Sequence, residues 1–244
     1  MFVRVARLIA SFVMVATGVV VGVGVSAGTA AADECYTWGR TLSQGTSGAD
    51  VTQLQIRVAG WVTSGERLSY DGQYGARTAA AVKKFQSAYG LTADGVAGPA
   101  TFAKIYSLQD ADCTPVHFSY AELNKCNSDW SGGAVSAATA KANALKTMWK
   151  LEAMRHALGD VPITISSGFR SYACNNAVGG SSTSRHLYGD AADLTGSLSL
   201  CRLAQQARTH GFSEILGPGY PDHNDHTHLA FDPSPYWSAP TCGI

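Results

Sequence analysis

Two short stretches hold most of the residues that could do chemistry: Ser184-Arg185-His186-Leu187-Tyr188-Gly189-Asp190-Ala191-Ala192-Asp193 and His223-Asn224-Asp225-His226-Thr227-His228. Imidazole and carboxylate are ligands zinc takes, and a catalytic zinc site keeps one position open for water. Two histidines and one aspartate would supply such a set. A histidine and an aspartate seven residues apart are explained equally well by a surface imidazole and a turn carboxylate, so spacing alone leaves both open. Side chains alternate with period 2 in a strand, which sets His226 and His228 on one face and Asp225 and Thr227 on the other. Asp225 can face the same way as His228 only if the chain bends there. The chain has no C-x-x-C pair, no G-x-S-x-G elbow and no S-x-x-K motif, which argues against thiolate-zinc, redox and serine-nucleophile chemistry.

The elements that must position these residues are legible on either side. Ala140, Ala144, Met148, Leu151 and Met154 recur at i, i+3/i+4 and predict a long helix over 137–156. Ile163-Thr164-Ile165-Ser166 alternates and predicts a strand running into Ser167-Gly168-Phe169-Arg170. A second helix fits 200–209, and 212–216 and 226–231 are short strand candidates flanked by Gly and Pro. This order of helices and strands predicts an α+β domain over 116–244 around a small, largely antiparallel sheet.

An internal repeat precedes it. Asp71-Gly72-Gln73-Tyr74-Gly75-Ala76-Arg77-Thr78 is echoed by Asp94-Gly95-Val96-Ala97-Gly98-Pro99-Ala100-Thr101, both D-G-x-x-G-x-x-T. Each copy joins a turn, where Gly supplies positive φ, to the start of a helix. Val51, Leu54, Gln55 and Val58 mark one amphipathic helix; Ala80, Val82 (with Ala81), Phe85 and Ala88 mark a longer one. Residues 33–110 therefore read as an all-α three-helix domain, joined by a polar, turn-prone link over 109–115.

The first 32 residues carry Arg4 and Arg7, an uncharged apolar run from Leu8 to Val25 and the small-residue exit Ala30-Ala31-Ala32. These are the parts of a secretory signal peptide, with cleavage expected after Ala32; an uncleaved anchor is the competing reading, since the run approaches the ~18 residues that span a bilayer. Without the leader, 16 Lys+Arg face 18 Asp+Glu, a net charge of about −2. That excludes the clustered basic surface of a nucleic-acid binder. Cys35, Cys113, Cys126, Cys174, Cys201 and Cys242 form an even set behind an export signal, which points to disulfides. About 15 pairings are open; joining nearest neighbours is the simplest, because each bridge then stays within one domain. A secreted monomer with no membrane contact after cleavage is expected.

V-x-x-L-Q, D-G-x-[YF]-G-x-x-T-x-x-A-V-x-x-F-Q and the second D-G-x-x-G resemble the peptidoglycan-binding domain attached to many wall hydrolases, over about 65 residues. S-x-H-x-x-G-x-A-x-D at 184–193, N-S-D-W-S-G-G at 127–133, G-F-R at 168–170 and H-N-D-H-T-H at 223–228 resemble the zinc D-Ala-D-Ala carboxypeptidase and dipeptidase family. The resemblance implies a Zn2+ enzyme acting on peptidoglycan and its D-Ala-D-Ala stem peptides. It implies His186, Asp193 and His228 as zinc ligands and nearest-neighbour disulfides. It also implies Asp225 as general base, where many members carry the longer glutamate; His223 as proton donor to the leaving amine; and Arg170 as the group that binds the carbonyl oxygen or substrate carboxylate. His226 reads either as a partner that orients a ligand or the water, or as a hydrogen-bonded strand histidine. His117, His156 and His210 read as structural or surface residues. A zinc endopeptidase cutting cross-links or stem peptides is the alternative reaction, and a non-catalytic wall-binding protein the third reading.

Overall fold

The structure, a computed structural model, describes residues 35–244; the expected leader over 1–32 lies outside the described residues. Three helices build the first half: α1 (Ala49–Arg57), α2 (Ala76–Ala88) and α3 (Pro99–Ser107). The repeat has a side-chain explanation. Gln55 at the end of α1 accepts from Gly72 N (3.0 Å) and donates to Asp71 Oδ1 (2.9 Å) and Thr78 Oγ1 (3.3 Å). Gln86 on α2 does the same to the second copy, bonding Gly95 N (2.9 Å), Asp94 Oδ1 (2.9 Å) and Thr101 Oγ1 (3.1 Å). Both glutamines are buried, and both turns need a glycine at positive φ, 70° at Gly72 and 75° at Gly95. A D-G turn and the threonine on the next helix are thus clamped by one amide from the preceding helix. The buried face of α2 is Thr78, Ala81, Val82, Phe85 and Gln86; Ala80 and Ala88, expected on that face, are exposed. The polar clamp, rather than an apolar stripe alone, sets how the helix is rotated.

The second half opens with α4 (Tyr120–Leu123), closed by a Ser119/Glu122 capping box, and continues into α5 (Ala137–Ala157), capped by Ser136 Oγ accepting from Thr139 N. It then holds β1 (Thr164–Ser167), α6 (Tyr172–Ala177), β2 (Ala191–Thr195), α7 (Leu200–Ala207), β3 (Glu214–Leu216), β4 (Thr227–Ala230) and β5 (Tyr236–Ser238). The sheet order is β1-β2-β4-β3-β5. β1/β2, β2/β4 and β3/β4 pair antiparallel, whereas β5 joins β3 in parallel, so the sheet is mixed. Central β2 was not anticipated from sequence. Ala191 to Leu194 are buried on both faces, so no alternation marks the strand. Disulfides join Cys35–Cys113, Cys126–Cys174 and Cys201–Cys242. No helix among the described residues is long and apolar enough to cross a membrane.

The two halves are joined by α5. Its predicted face, Ala140, Ala144, Met148, Leu151 and Met154, enters the core of the sheet half. Its opposite face sends Trp149 and Ala153 into the core of the three-helix half. This explains why the helix is buried nearly all round from Thr147 to Arg155. At the seam Gly60 lies against α5 so closely that a Cβ would stand 2.5 Å from Ala153 Cβ. His210 Nδ1 donates to Gly60 O (2.7 Å), Gly65 N to Arg208 O (3.1 Å), and Arg67 Nη1 to Asp232 O (2.6 Å).

Candidate metal centre

Asp193 on β2 and His228 on β4 are direct cross-strand partners and share one face of the sheet. His186 comes from a 3-10 turn, Arg185–Tyr188, that lies over this face. The turn ends on Gly189 at φ 75°, where a Cβ would stand 2.4 Å from Ala140 O; only glycine lets it sit against α5. Arg170 N donates to His186 O (3.1 Å), while His186 Nδ1 meets Gly168 O at 2.6 Å, so the chain after β1 fixes both the backbone and the ring of His186.

Three donor atoms converge. His186 Nε2 and His228 Nδ1 are 3.1 Å apart, and Asp193 Oδ1 lies 3.1 Å from the first and 2.8 Å from the second. All three side chains are buried. The outward nitrogens are both engaged: His186 Nδ1 donates to Gly168 O, and His228 Nε2 lies 3.2 Å from Glu214 Oε1. Protons on those nitrogens leave two imidazole lone pairs and a carboxylate oxygen facing one point. Such a cluster repels itself unless a cation or a proton occupies it, and its donor types are those zinc takes. The titration behaviour of the three groups agrees. Burial lowers the His228 imidazolium, but hydrogen bonds to Asp193 and Glu214 outweigh it and raise the group to about 9. Burial raises Asp193, yet the charges and hydrogen bonds of His186 and His228 hold it well below the usual carboxylate range. Burial pushes His186 down.

A cleft of about 750 Å³ opens over the cluster. The Val178–Thr183 segment forms one wall and Tyr220–His223 another, and Arg170 is the only Lys or Arg among its lining residues. Arg170 Nη2 donates to Asp193 Oδ2 (2.6 Å) and Nε to Ser167 Oγ (2.9 Å), so its guanidinium is held in place at the cleft floor. His223 donates from Nδ1 to Pro221 O (2.7 Å), and burial lowers its pKa. Its ring centroid lies 4.7 Å from that of His226, whose Nε2 is 3.7 Å from Asp193 Oδ1.

Of the residues singled out in the sequence, His186, Asp193 and His228 meet, and Arg170, His223 and His226 line the same cleft. Asp225 does not line it. Its side chain is 89% exposed, and it reaches the cluster only through His226, with Asp225 Oδ1 2.7 Å from His226 Nδ1. The bend at Asn224–Asp225 turns this carboxylate to solvent, so the bent chain leaves Asp225 and His228 facing different ways. His117 pairs with Glu152, His156 with Asp160, and His210 with Gly60 O, all away from the cleft. Glu214 and Tyr220 line the cleft and were missed. For Glu214 a signal existed: one acid inside the apolar strand candidate Phe212–Leu216.

Residues 116–230 match the model of the peptidase M15 family, and residues 47–105 that of a putative peptidoglycan binding domain. The zinc D-Ala-D-Ala carboxypeptidase of Streptomyces albus G is 69% identical over 220 residues, covering 90% of this chain and 86% of that protein. A probable N-acetylmuramoyl-L-alanine amidase of Bacillus licheniformis is 42% identical over 80 residues, 31% of this chain and 22% of its own. A solved peptidoglycan-binding protein from Clostridioides difficile is 37% identical, covering 27% of this chain and 39% of that one, with a TM-score of 0.24.

Proposed function

This chain belongs to the peptidase M15 family, and from that premise we propose that it removes the terminal D-alanine from D-Ala-D-Ala stem peptides of peptidoglycan. The observation that carries the reading is the convergence of His186 Nε2, Asp193 Oδ1 and His228 Nδ1 at the floor of a cleft whose lining has one guanidinium, Arg170. His186, Asp193 and His228 would hold zinc, which would supply Lewis-acid polarisation of the scissile carbonyl and lower the pKa of the attacking water. Arg170 receives the substrate's carboxylate or carbonyl oxygen, a task for which its fixed guanidinium is suited. We assign the base to the Asp225–His226 pair. Asp225 holds the proton on His226 Nδ1, and His226 Nε2, on the cleft side, takes the proton of the water. The water oxygen bonds to the carbonyl carbon, the C–N bond breaks, and the proton taken by His226 Nε2 passes to the neighbouring His223 at Nε2, the ring nitrogen not engaged by Pro221 O, which delivers it to the leaving amine.

Residues 33–110 serve as the peptidoglycan-binding domain and 116–244 as the catalytic one, so anchoring on the polymer raises the local concentration of stem peptides. The leader over 1–32 would direct the chain out of the cell, where it works as a soluble monomer at the wall.

The test is release of free D-alanine from an N-acylated peptide ending in D-Ala-D-Ala. Release that stops with a chelator and returns with zinc supports the proposal. No release, with cleavage of cross-linked peptidoglycan instead, overturns it in favour of an endopeptidase. Replacing His186 with Ala should abolish both zinc retention and turnover; unchanged turnover would remove the metal assignment.

A further inference from the structure

Resting on the zinc site proposed above, we propose that Glu214 is a positioning residue that selects which nitrogen of His228 faces the metal. Glu214 on β3 stands opposite Ala230 on β4, two residues along from the Leu216/His228 pair. That diagonal places it on the same sheet face as His228 and Asp193 and within reach of the ring. His228 Nδ1 points inward, 2.8 Å from Asp193 Oδ1, and Nε2 points at Glu214 Oε1, 3.2 Å away. Only a neutral ring protonated at Nε2 offers a lone pair at Nδ1. An acceptor at Nε2 therefore decides the tautomer, and with it whether His228 can ligate.

The two histidines solve this problem differently. His186 spends its outer N–H on a backbone carbonyl, Gly168 O, at 2.6 Å, which no substitution removes. His228 relies on a side chain, which can be exchanged without moving the ligand. The Glu214 side chain is 20% exposed rather than sealed and borders the cleft, so a shorter residue leaves space that water fills. Glu214 meets the ligand set through the outer nitrogen of the His228 ring, which gives it a role in metal retention.

The experiment compares Glu214→Gln and Glu214→Ala with the unaltered chain, each lacking the leader. Zinc affinity is measured by competition with a chromophoric chelator, the Co(II) form is followed by its visible absorption, and turnover is read at limiting and saturating zinc. Outer-shell partners of ligating histidines typically contribute tenfold to a hundredfold in affinity. Glu214→Ala should bind zinc about tenfold to a hundredfold more weakly and regain most turnover in excess zinc. Glu214→Gln keeps an acceptor and should fall between Ala and the unaltered chain, with a Co(II) spectrum close to the latter. Should the alanine chain not fold, the glutamine chain decides: affinity weaker by less than about tenfold supports the role, and unchanged affinity or complete loss overturns it. Unchanged affinity in Glu214→Ala overturns the proposal, and a collapse of kcat that saturating zinc does not relieve overturns it and moves Glu214 to the reacting groups. Failure of the unaltered chain to bind zinc would instead overturn the metal site itself.

Discussion

Lys150 is a cation that the fold buries with no ion-pair partner among the described residues, and removing its charge should stabilise the protein. Its residue is 5% exposed on α5, and Nζ sits over two rings, 5.4 Å from the centroid of Phe212 and 5.5 Å from that of Phe231. Burial pushes its pKa from 10.5 down to about 8, with Asp190 pulling the other way and Lys146 and Arg67 adding to the fall. At about 1.4 kcal/mol per unit, that shift corresponds to on the order of 3 kcal/mol against the folded state near neutral pH. Lys150→Met keeps the unbranched stem and gives up the ring–cation attraction, about 1 kcal/mol or more. The net gain is about 2 kcal/mol, or roughly 4–8 °C in Tm for a chain of this size. The pH dependence identifies the cause. Between about 8 and 10.5 the unfolded wild-type chain holds a proton that the folded chain has lost, so wild-type stability rises with pH across that window. The methionine variant lacks this term, so its advantage should be full at pH 7 and shrink towards zero by about pH 10.5. Thermal melts of both chains from pH 7 to 10.5 measure the gap. No gain at pH 7, or a gain that stays constant to the alkaline end, would refute the reasoning.

His210 is held to about 4 by burial, with Nδ1 donating to Gly60 O and Nε2 accepting from Gln206. Its folded pKa lies below its unfolded value, so wild-type stability should fall as pH drops from about 6.5 to 4, by on the order of 3 kcal/mol; urea titrations of His210→Gln should show a smaller loss. Gly60→Val adds atoms where a Cβ already stands 2.5 Å from Ala153 Cβ, and should destabilise by about 1–3 kcal/mol. Because α5 feeds both cores, calorimetry of the unaltered chain should give a single transition; two resolved transitions would contradict the shared helix. Arg170→Lys keeps a charge but cannot hold Asp193 Oδ2 and Ser167 Oγ together with a ligand. Its kcat/KM on D-Ala-D-Ala peptides should fall by about 10²-fold with zinc content unchanged, and equal turnover would exclude Arg170 from substrate binding.

Local patterns translated well where one force dominates. The five predicted apolar positions of α5 are all in the core, since a 3.6-residue period needs no knowledge of partners. Both D-G-x-x-G copies are turns feeding helices, though the clamping role of Gln55 and Gln86 required three dimensions. What was hidden depends on contacts remote in sequence. β2 carries Asp193 yet shows no alternation, and β5 pairs in parallel with a strand more than a dozen residues earlier. Trp149 faces a core built by residues 38–108, which periodicity of α5 alone reads as its solvent side. Asp225 shows the limit at the site. A motif position says which residue type recurs there, whereas its χ angles and exposure follow from the bend before β4.

The shared helix also bears on how work is distributed over a polymer. An anchor on a slack tether lets a blade sweep every target inside a sphere, and the surroundings are trimmed evenly. When anchor and blade are bolted to one beam, each landing commits the cleft to a single offset along the strand. The pattern of cuts then copies the pattern of landings, and the protein must let go and step to reach the next stem. Throughput on intact polymer would be limited by how quickly the anchor releases, so a tighter grip would slow the enzyme.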